Sequence, residues 1–128
     1  MFIGYGNGHL GIFDIQKDQT LKNIQALPSH ILSVAFTMNN QGAYISDQSG
    51  NIKMIKWKPN DISEDDFDFT QNSIQVGETG TYEICLIKDD DNLLVASYKL
   101  VSVLNTKTRK VLKELTFTHD VMNIKVIN

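Results

Sequence analysis

Asn7-Gly8-His9-Leu10-Gly11-Ile12-Phe13-Asp14 and Ser49-Gly50-Asn51-Ile52-Lys53-Met54-Ile55-Lys56 share one form: a small polar turn, then alternating apolar residues, then a bulky residue followed by a polar one. Leu100-Val101-Ser102-Val103-Leu104-Asn105 repeats the form with its turn shortened. Alternation at period two sends successive side chains to opposite faces of a strand, so each stretch reads as β. A hydrophobic arm precedes each one, Phe2-Ile3, Tyr44-Ile45 and Leu94-Val95, and arm, turn and stretch together make a hairpin. Phe13 to Ile55 is 42 residues and Ile55 to Leu104 is 49. The excess has a visible source in KPNDISEDDFDFTQN, residues 58–72, a polar acidic stretch expected to be an inserted surface loop.

Working outward, strands are expected over 2–5, 10–15, 21–27, 32–37, 43–46, 52–57, 73–76, 83–88, 93–98, 100–105, 110–116 and 122–127. Turns between them carry Asn7-Gly8, Asn39-Asn40-Gln41-Gly42, Ser49-Gly50-Asn51 and Asp89-Asp90-Asp91-Asn92, residues that tolerate tight or left-handed backbone. Many short strands with a recurring unit of this length imply a repeat architecture. The expected division is one domain over 1–128, with repeat remnants at about 1–27, 28–78 and 79–116 and a lone innermost strand at 121–127.

The chain resembles the WD40 repeat family, whose repeat supplies four strands per propeller blade. Residues 101–115, Val-Ser-Val-Leu-Asn-Thr-Lys-Thr-Arg-Lys-Val-Leu-Lys-Glu-Leu, resemble the family's third strand, tight turn and outer strand. Asn7-Gly8-x-Leu10-x-Ile12-Phe13-Asp14 resembles its turn glycine and Trp-Asp ending, and Ser29-His30 with Ser33-Val34-Ala35-Phe36 resembles its Gly-His and innermost strand. Phe13, Ile55 and Leu104 stand where the family has Trp, and Asp14, Lys56 and Asn105 stand at its Asp. The family's polar network of loop His, strand Ser, turn Asp and Trp is therefore expected to be absent or partial in every repeat. The resemblance implies an all-β fold, a β-propeller fragment of about three four-stranded antiparallel blades forming an open arc.

Composition narrows the function. With 41% apolar and 21% charged residues the 128-residue chain is ordinary globular material. Its 15 acidic against 12 basic side chains give a net charge of −3, with no basic stripe for a phosphate backbone, so nucleic acid is not an expected partner. No apolar run approaches the length of a membrane span, no secretory leader is visible, and a cytoplasmic address is expected. Cys85 sits within apolar alternation and reads as a buried thiol. His9, His30 and His119 lack the spacing of a zinc site, and His30 and His119 fall in matching loops before an innermost strand. The acidic stretch lacks the order of a calcium loop, although Ser63 before three acidic residues would suit an acid-directed kinase. Phe67 and Phe69, alternating about Asp68, leave core packing open for the end of that stretch. With no nucleophile elbow, phosphate loop or Cys–His constellation, neither catalysis nor a cofactor nor a metal is expected.

The expected role is that of a protein–protein interaction scaffold recognising peptides or protein surfaces through loops at one propeller face, as the resemblance implies. That face combines loops between outer and innermost strands with loops between second and third strands. Transferred to this chain, the protein-binding candidates are His30, Asp47, Gln48, Tyr82, Tyr98, Phe117 and His119, with Thr79 beside them. Trp57, next to the inserted loop, is a further anchor candidate, since aromatics are enriched at interface hot spots; packing beneath that loop is the competing reading. A ligand-binding or enzymatic propeller would need acid or His on the innermost strands, where only Glu83 and Lys125 are charged. Opening within a second strand, the sequence also fits a piece of a longer propeller. Three blades are too few to close round an axis, which takes roughly four or more. Two chains donating 122–127 to each other's first blade would complete a ring as a homo-oligomer.

Overall fold

The computed structural model describes residues 1–58, 66–76, 81–87 and 90–127, with backbone alone at Thr81 and Tyr82. The described residues form β1 (Phe2–Gly4), β2 (His9–Asp14), β3 (Gln19–Gln25), β4 (Ile31–Phe36), β5 (Gly42–Asp47), β6 (Asn51–Trp57), β7 (Phe67–Asp68), β8 (Ile74–Gln75), β9 (Thr81–Leu86), β10 (Asn92–Ser97), β11 (Leu100–Asn105) and β12 (Lys110–Thr116). Three antiparallel sheets result, β1-β2-β3, β4-β5-β6 with β7 and β8 both on β6, and β9-β10-β11-β12. Labelled a to d from the innermost strand outward, the first blade is b-c-d and the other two are a-b-c-d.

Turn chemistry repeats from blade to blade. After the third strand, Asp14 Oδ1 accepts from Gln16 N and Lys17 N at 3.0 and 3.1 Å. Asn105 Oδ1 does the same for Lys107 N and Thr108 N at 3.0 and 2.8 Å. Both turns end on a left-handed residue, Asp18 and Arg109. Asp and Asn can cap such a turn because their short side chains carry an acceptor, whereas Lys56 at the same place is a donor only. After Lys56 the second blade accordingly departs from the pattern and carries its insertion.

The turn between second and third strands is equally regular. Gly8, Gly50 and Lys99 have φ of 84, 85 and 53°. Their carbonyls accept from the end of the outer strand, from Ala26 N at 3.1 Å, Val76 N at 2.8 Å and Phe117 N at 2.8 Å. Glycine is required at position 8, where a Cβ would lie 2.0 Å from Leu27 O.

Alternation divides the buried side chains between two interblade layers. Leu10, Ile12, Ala26 and Leu27 of the first blade meet Ala43, Ile45, Ile55 and Trp57 of the second. Ile52 and Val76 on the opposite face of the second blade meet Ile84, Leu93, Val95 and Leu104 of the third. Leu104 and Ile55, at the family's Trp position, are fully buried, so apolar packing replaces the indole there.

Two expectations are corrected. The stretch 58–72 is not wholly a surface loop: Phe67 pairs Trp57 and Asp68 pairs Lys56, so the outer strand of the second blade starts at Phe67 and not at residue 73. It reaches β8, where Ile74 pairs Ile52, through residues 69–73 running opposite 53–55, wider than an ordinary one-residue bulge. Phe67 and Phe69 pack on the first core layer. The remainder of the insertion, 59–65 with Ser63, lies outside the described residues, as do 77–80 with Thr79. The second correction concerns 122–127, which joins no ladder among the described residues. Alternating sequence alone cannot make a strand, since the ladder needs a second strand beside it.

Removing residues 59–65 in favour of a short Gly-Ser linker should leave the thermal midpoint nearly unchanged, because loop closure depends weakly on length. Replacing 61–70 should cost roughly 3 kcal/mol, as two Phe rings leave the core. Circular dichroism melts of the two variants check this, and equal midpoints would contradict the placement of β7.

Candidate functional site

Strands alternate direction within a blade, so the turns between b and c and the connections from d to the next a emerge at one end. Six of the candidate residues are described at this end, and they divide into two groups, the first held in a rigid framework. His30 Nδ1 lies 2.7 Å from Gln48 Oε1, and Gln48 N donates to His30 O at 2.8 Å. Asp47, fully buried, accepts through Oδ1 from Ser49 N at 3.0 Å and Asn51 N at 2.8 Å, and through Oδ2 from Ser29 N at 3.3 Å. Ser49 Oγ donates to Ser29 Oγ at 2.9 Å. The loop from the first blade is thus tied to the turn of the second by both side chains and backbone. Gly6 lets the His30 imidazole lie against the first blade's turn, since a Cβ there would meet its ring carbon at 2.7 Å.

Asp47 therefore holds the framework from within. Burying a carboxylate is tolerated where several N–H groups are aimed at it. In the second blade the loop residue Ser29 donates its backbone N–H to this carboxylate, while His30 meets Gln48.

The second group stands on the third blade. Tyr98 is 48% exposed, with Lys99 Nζ 5.0 Å from its ring centroid. Phe117 is 46% exposed and is fixed beside that turn through its bond to Lys99 O at 2.8 Å. His119 Nδ1 lies 3.0 Å from Thr118 Oγ1. Thr79 lies outside the described residues, and the Tyr82 side chain is likewise not described.

Trp57 belongs elsewhere. It closes the third strand of the second blade at the opposite end, is 9% exposed, and sits between Phe2 and Phe67 at centroid separations of 5.4 and 5.9 Å. Packing under the insertion, not display to a partner, is what its surroundings provide.

The opposite end also holds a cleft of about 880 Å³ between the second and third blades that sequence reading did not find. Polar bonds here cross between the two blades at Asp90 and Arg109 and tie two turns of the third blade together at Thr106. Asp90 Oδ2 accepts Met38 N at 2.8 Å, Thr106 Oγ1 donates to Asp90 O at 2.8 Å, and the Arg109 guanidinium donates to Asn72 O. Burial pushes the Tyr44 hydroxyl above its ordinary range. No cluster of three metal-ligating side chains occurs among the described residues. The pairs involved lie 16 to 52 residues apart, so nothing local in the sequence signals them.

No family model matches the chain, and no curated protein matches it by sequence. Solved structures do. It is similar to a chain of the mitotic checkpoint complex with a TM-score of 0.78 and 13% identity over 94% of this chain and 35% of that one. It is similar to the WD40 repeats of RRP9 with a TM-score of 0.72 and 15% identity over 93% of this chain and 36% of that one. A chain of hydrazine synthase from Kuenenia stuttgartiensis gives a TM-score of 0.70 and 14% identity over 88% of this chain and 31% of that one. The chain spans about a third of the length of each. At such identities the shared property is the fold, a WD40-type β-propeller over three consecutive blades.

Proposed function

We propose that this propeller arc is an interaction scaffold that recognises a peptide or protein surface at the end carrying the turns between second and third strands. The observation that carries the reading is the framework of Ser29, His30, Asp47, Gln48 and Ser49, which fixes loop and turn in one geometry while Tyr98 and Phe117 stand exposed at the same end. A preorganised polar lattice lowers the ordering cost of binding, and exposed aromatics beside it supply area that a partner can cover. Of the structures similar to this chain, one is by its name part of an assembly, the mitotic checkpoint complex. No catalytic, cofactor or metal role enters the proposal: Ser33 and Glu83 of the innermost strands accept from Ile84 N and Ile124 N.

Selection of binders from a displayed random-peptide library against the immobilised chain tests this. Selected peptides should lose at least tenfold in affinity on Tyr98→Ala or Phe117→Ala, and less on His30→Ala. Lys110→Ala on the outermost strand should leave binding intact. Peptides insensitive to all three changes at the proposed end would place recognition elsewhere.

A further inference from the structure

The cleft between the second and third blades is rich in donors and short of acceptors. Its backbone carbonyls are largely taken: Thr37 O accepts Asn40 N at 3.0 Å, Gln41 O accepts Trp57 N at 3.0 Å, and Gly42 O accepts Thr37 N at 2.9 Å. Across the cleft Asp91 O accepts Thr106 N at 2.9 Å. The carboxylates are engaged as well. Asp90 Oδ2 holds Met38 N at 2.8 Å while its Oδ1 is covered by protein, and Asp91 Oδ1 holds Lys107 Nζ at 3.0 Å. Few oxygens are left for a cation to bind.

The donors are not used up. Asn39 Oδ1 accepts from Thr37 Oγ1 at 2.8 Å and from Gln41 N at 3.0 Å, which fixes the amide and leaves its NH2 unbonded among the described residues. The Arg109 guanidinium uses one N–H on Asn72 O and keeps the others. Lys56 of β6 is exposed and forms no ion pair among the described residues; Asp68, opposite it on β7, turns Oδ1 to Thr70 N at 2.8 Å. Arg109 is also an unexpected residue for its place. Its backbone is left-handed, with φ of 61°, where the matching turn of the first blade has Asp18. Such a position favours Gly, Asn or Asp over a long side chain, so turn chemistry does not ask for arginine there, and a residue kept against local preference points to a role for its side chain.

We infer that this cleft, of about 880 Å³, binds a phosphomonoester carried on a small aromatic or apolar body, with the phosphate between Arg109 of the third blade and Lys56 of the second. The body lies against Tyr44 and Met54, which line the same cleft. Two cations from two blades call for a dianion. A carboxylate neutralises one of them, whereas a phosphomonoester brings three terminal oxygens and a charge of about −1.5 to −2 at neutral pH. A guanidinium meets such a group through two parallel bonds, the lysine adds a point charge, and the Asn39 NH2 supplies a neutral donor. The cleft lies at the end away from the proposed peptide-binding face, so the inference does not rest on that reading.

Phenyl phosphate is the probe. In equilibrium dialysis the whole chain should retain it saturably, and Arg109→Gln and Lys56→Gln should each weaken retention by roughly tenfold, the loss of one charge-assisted contact. Lys56→Gln breaks no side-chain bond among the described residues, so its circular dichroism melt should match the parent's, and it keeps the test decisive if Arg109→Gln loosens the blades. Lys110→Gln makes the same change of charge one residue from Arg109 but outside the cleft, and should bind as the parent does. Inorganic phosphate, lacking the ring, and benzoate, lacking the second charge, should each bind more weakly than phenyl phosphate. No retention by the parent chain at millimolar phenyl phosphate, equal affinity in Lys56→Gln and Lys110→Gln, or either simpler anion binding as tightly as phenyl phosphate would each overturn the inference.

Discussion

Leu104→Asp is expected to lower the thermal midpoint by roughly 15 °C, from a destabilisation of about 4 kcal/mol at about 4 °C per kcal/mol for a chain of this size. Leu104 is 1% exposed within the layer between second and third blades, among Ile52, Val76, Leu93 and Val95. None of these side chains offers a donor, so a carboxylate there is desolvated without compensation. The matched control is Ile15→Asp, at 68% exposure in the first blade's outer turn, which should change stability by no more than about 0.5 kcal/mol. A melt monitored by circular dichroism compares the two. Equal midpoints would mean that the third blade does not pack on the second through this face.

Trp57→Ala should cost about 4 kcal/mol in a urea titration, in the range of large aromatic truncations in a core. The indole touches rings on three sides, with Phe2, Phe36 and Phe67 centroids at 5.4, 6.2 and 5.9 Å, so the cavity left behind draws on the first blade, the second blade and the insertion together. Trp57→Phe keeps an aromatic contact and should lose less than half as much. A loss below about 1 kcal/mol for the alanine variant would instead fit an anchor standing free at the surface.

What the sequence disclosed followed from local chemistry. Gly8 and Gly50 mark turns because the backbone there is left-handed, and Asp14 and Asn105 mark the next turn because each carries a capping acceptor. Strand periodicity then placed the hairpins of all three blades to within a few residues. β7 escaped because its ladder is two residues long and lies in a stretch whose charge reads as solvent-facing; only the spacing of Phe67 and Phe69 hinted at it. The segment 122–127 shows the converse, a strand pattern that joins no ladder among the described residues. Trp57 could be read both ways, since an aromatic at a strand end is equally suited to an interface or a core. The candidates at the proposed binding end come from the resemblance, and the structure adds the contact of His30 with Gln48 across 18 residues and the tie from Ser29 to Asp47. Such contacts depend on how one blade is set against the next.

The two separate core layers give the arc a graded cooperativity. The second blade contributes to both core layers, Ala43, Ile45 and Ile55 turned to one neighbour and Ile52 and Val76 to the other, whereas each flanking blade contributes to one. In a linear array each unit draws its stability from its own fold plus its nearest neighbours. Opening of a terminal blade breaks one interface, while opening of the middle blade breaks two. Amide protons of β5 and β6 therefore exchange with solvent only on the deepest openings of the chain, those of β12 and β1 on shallow ones, and unfolding propagates inward from the two ends.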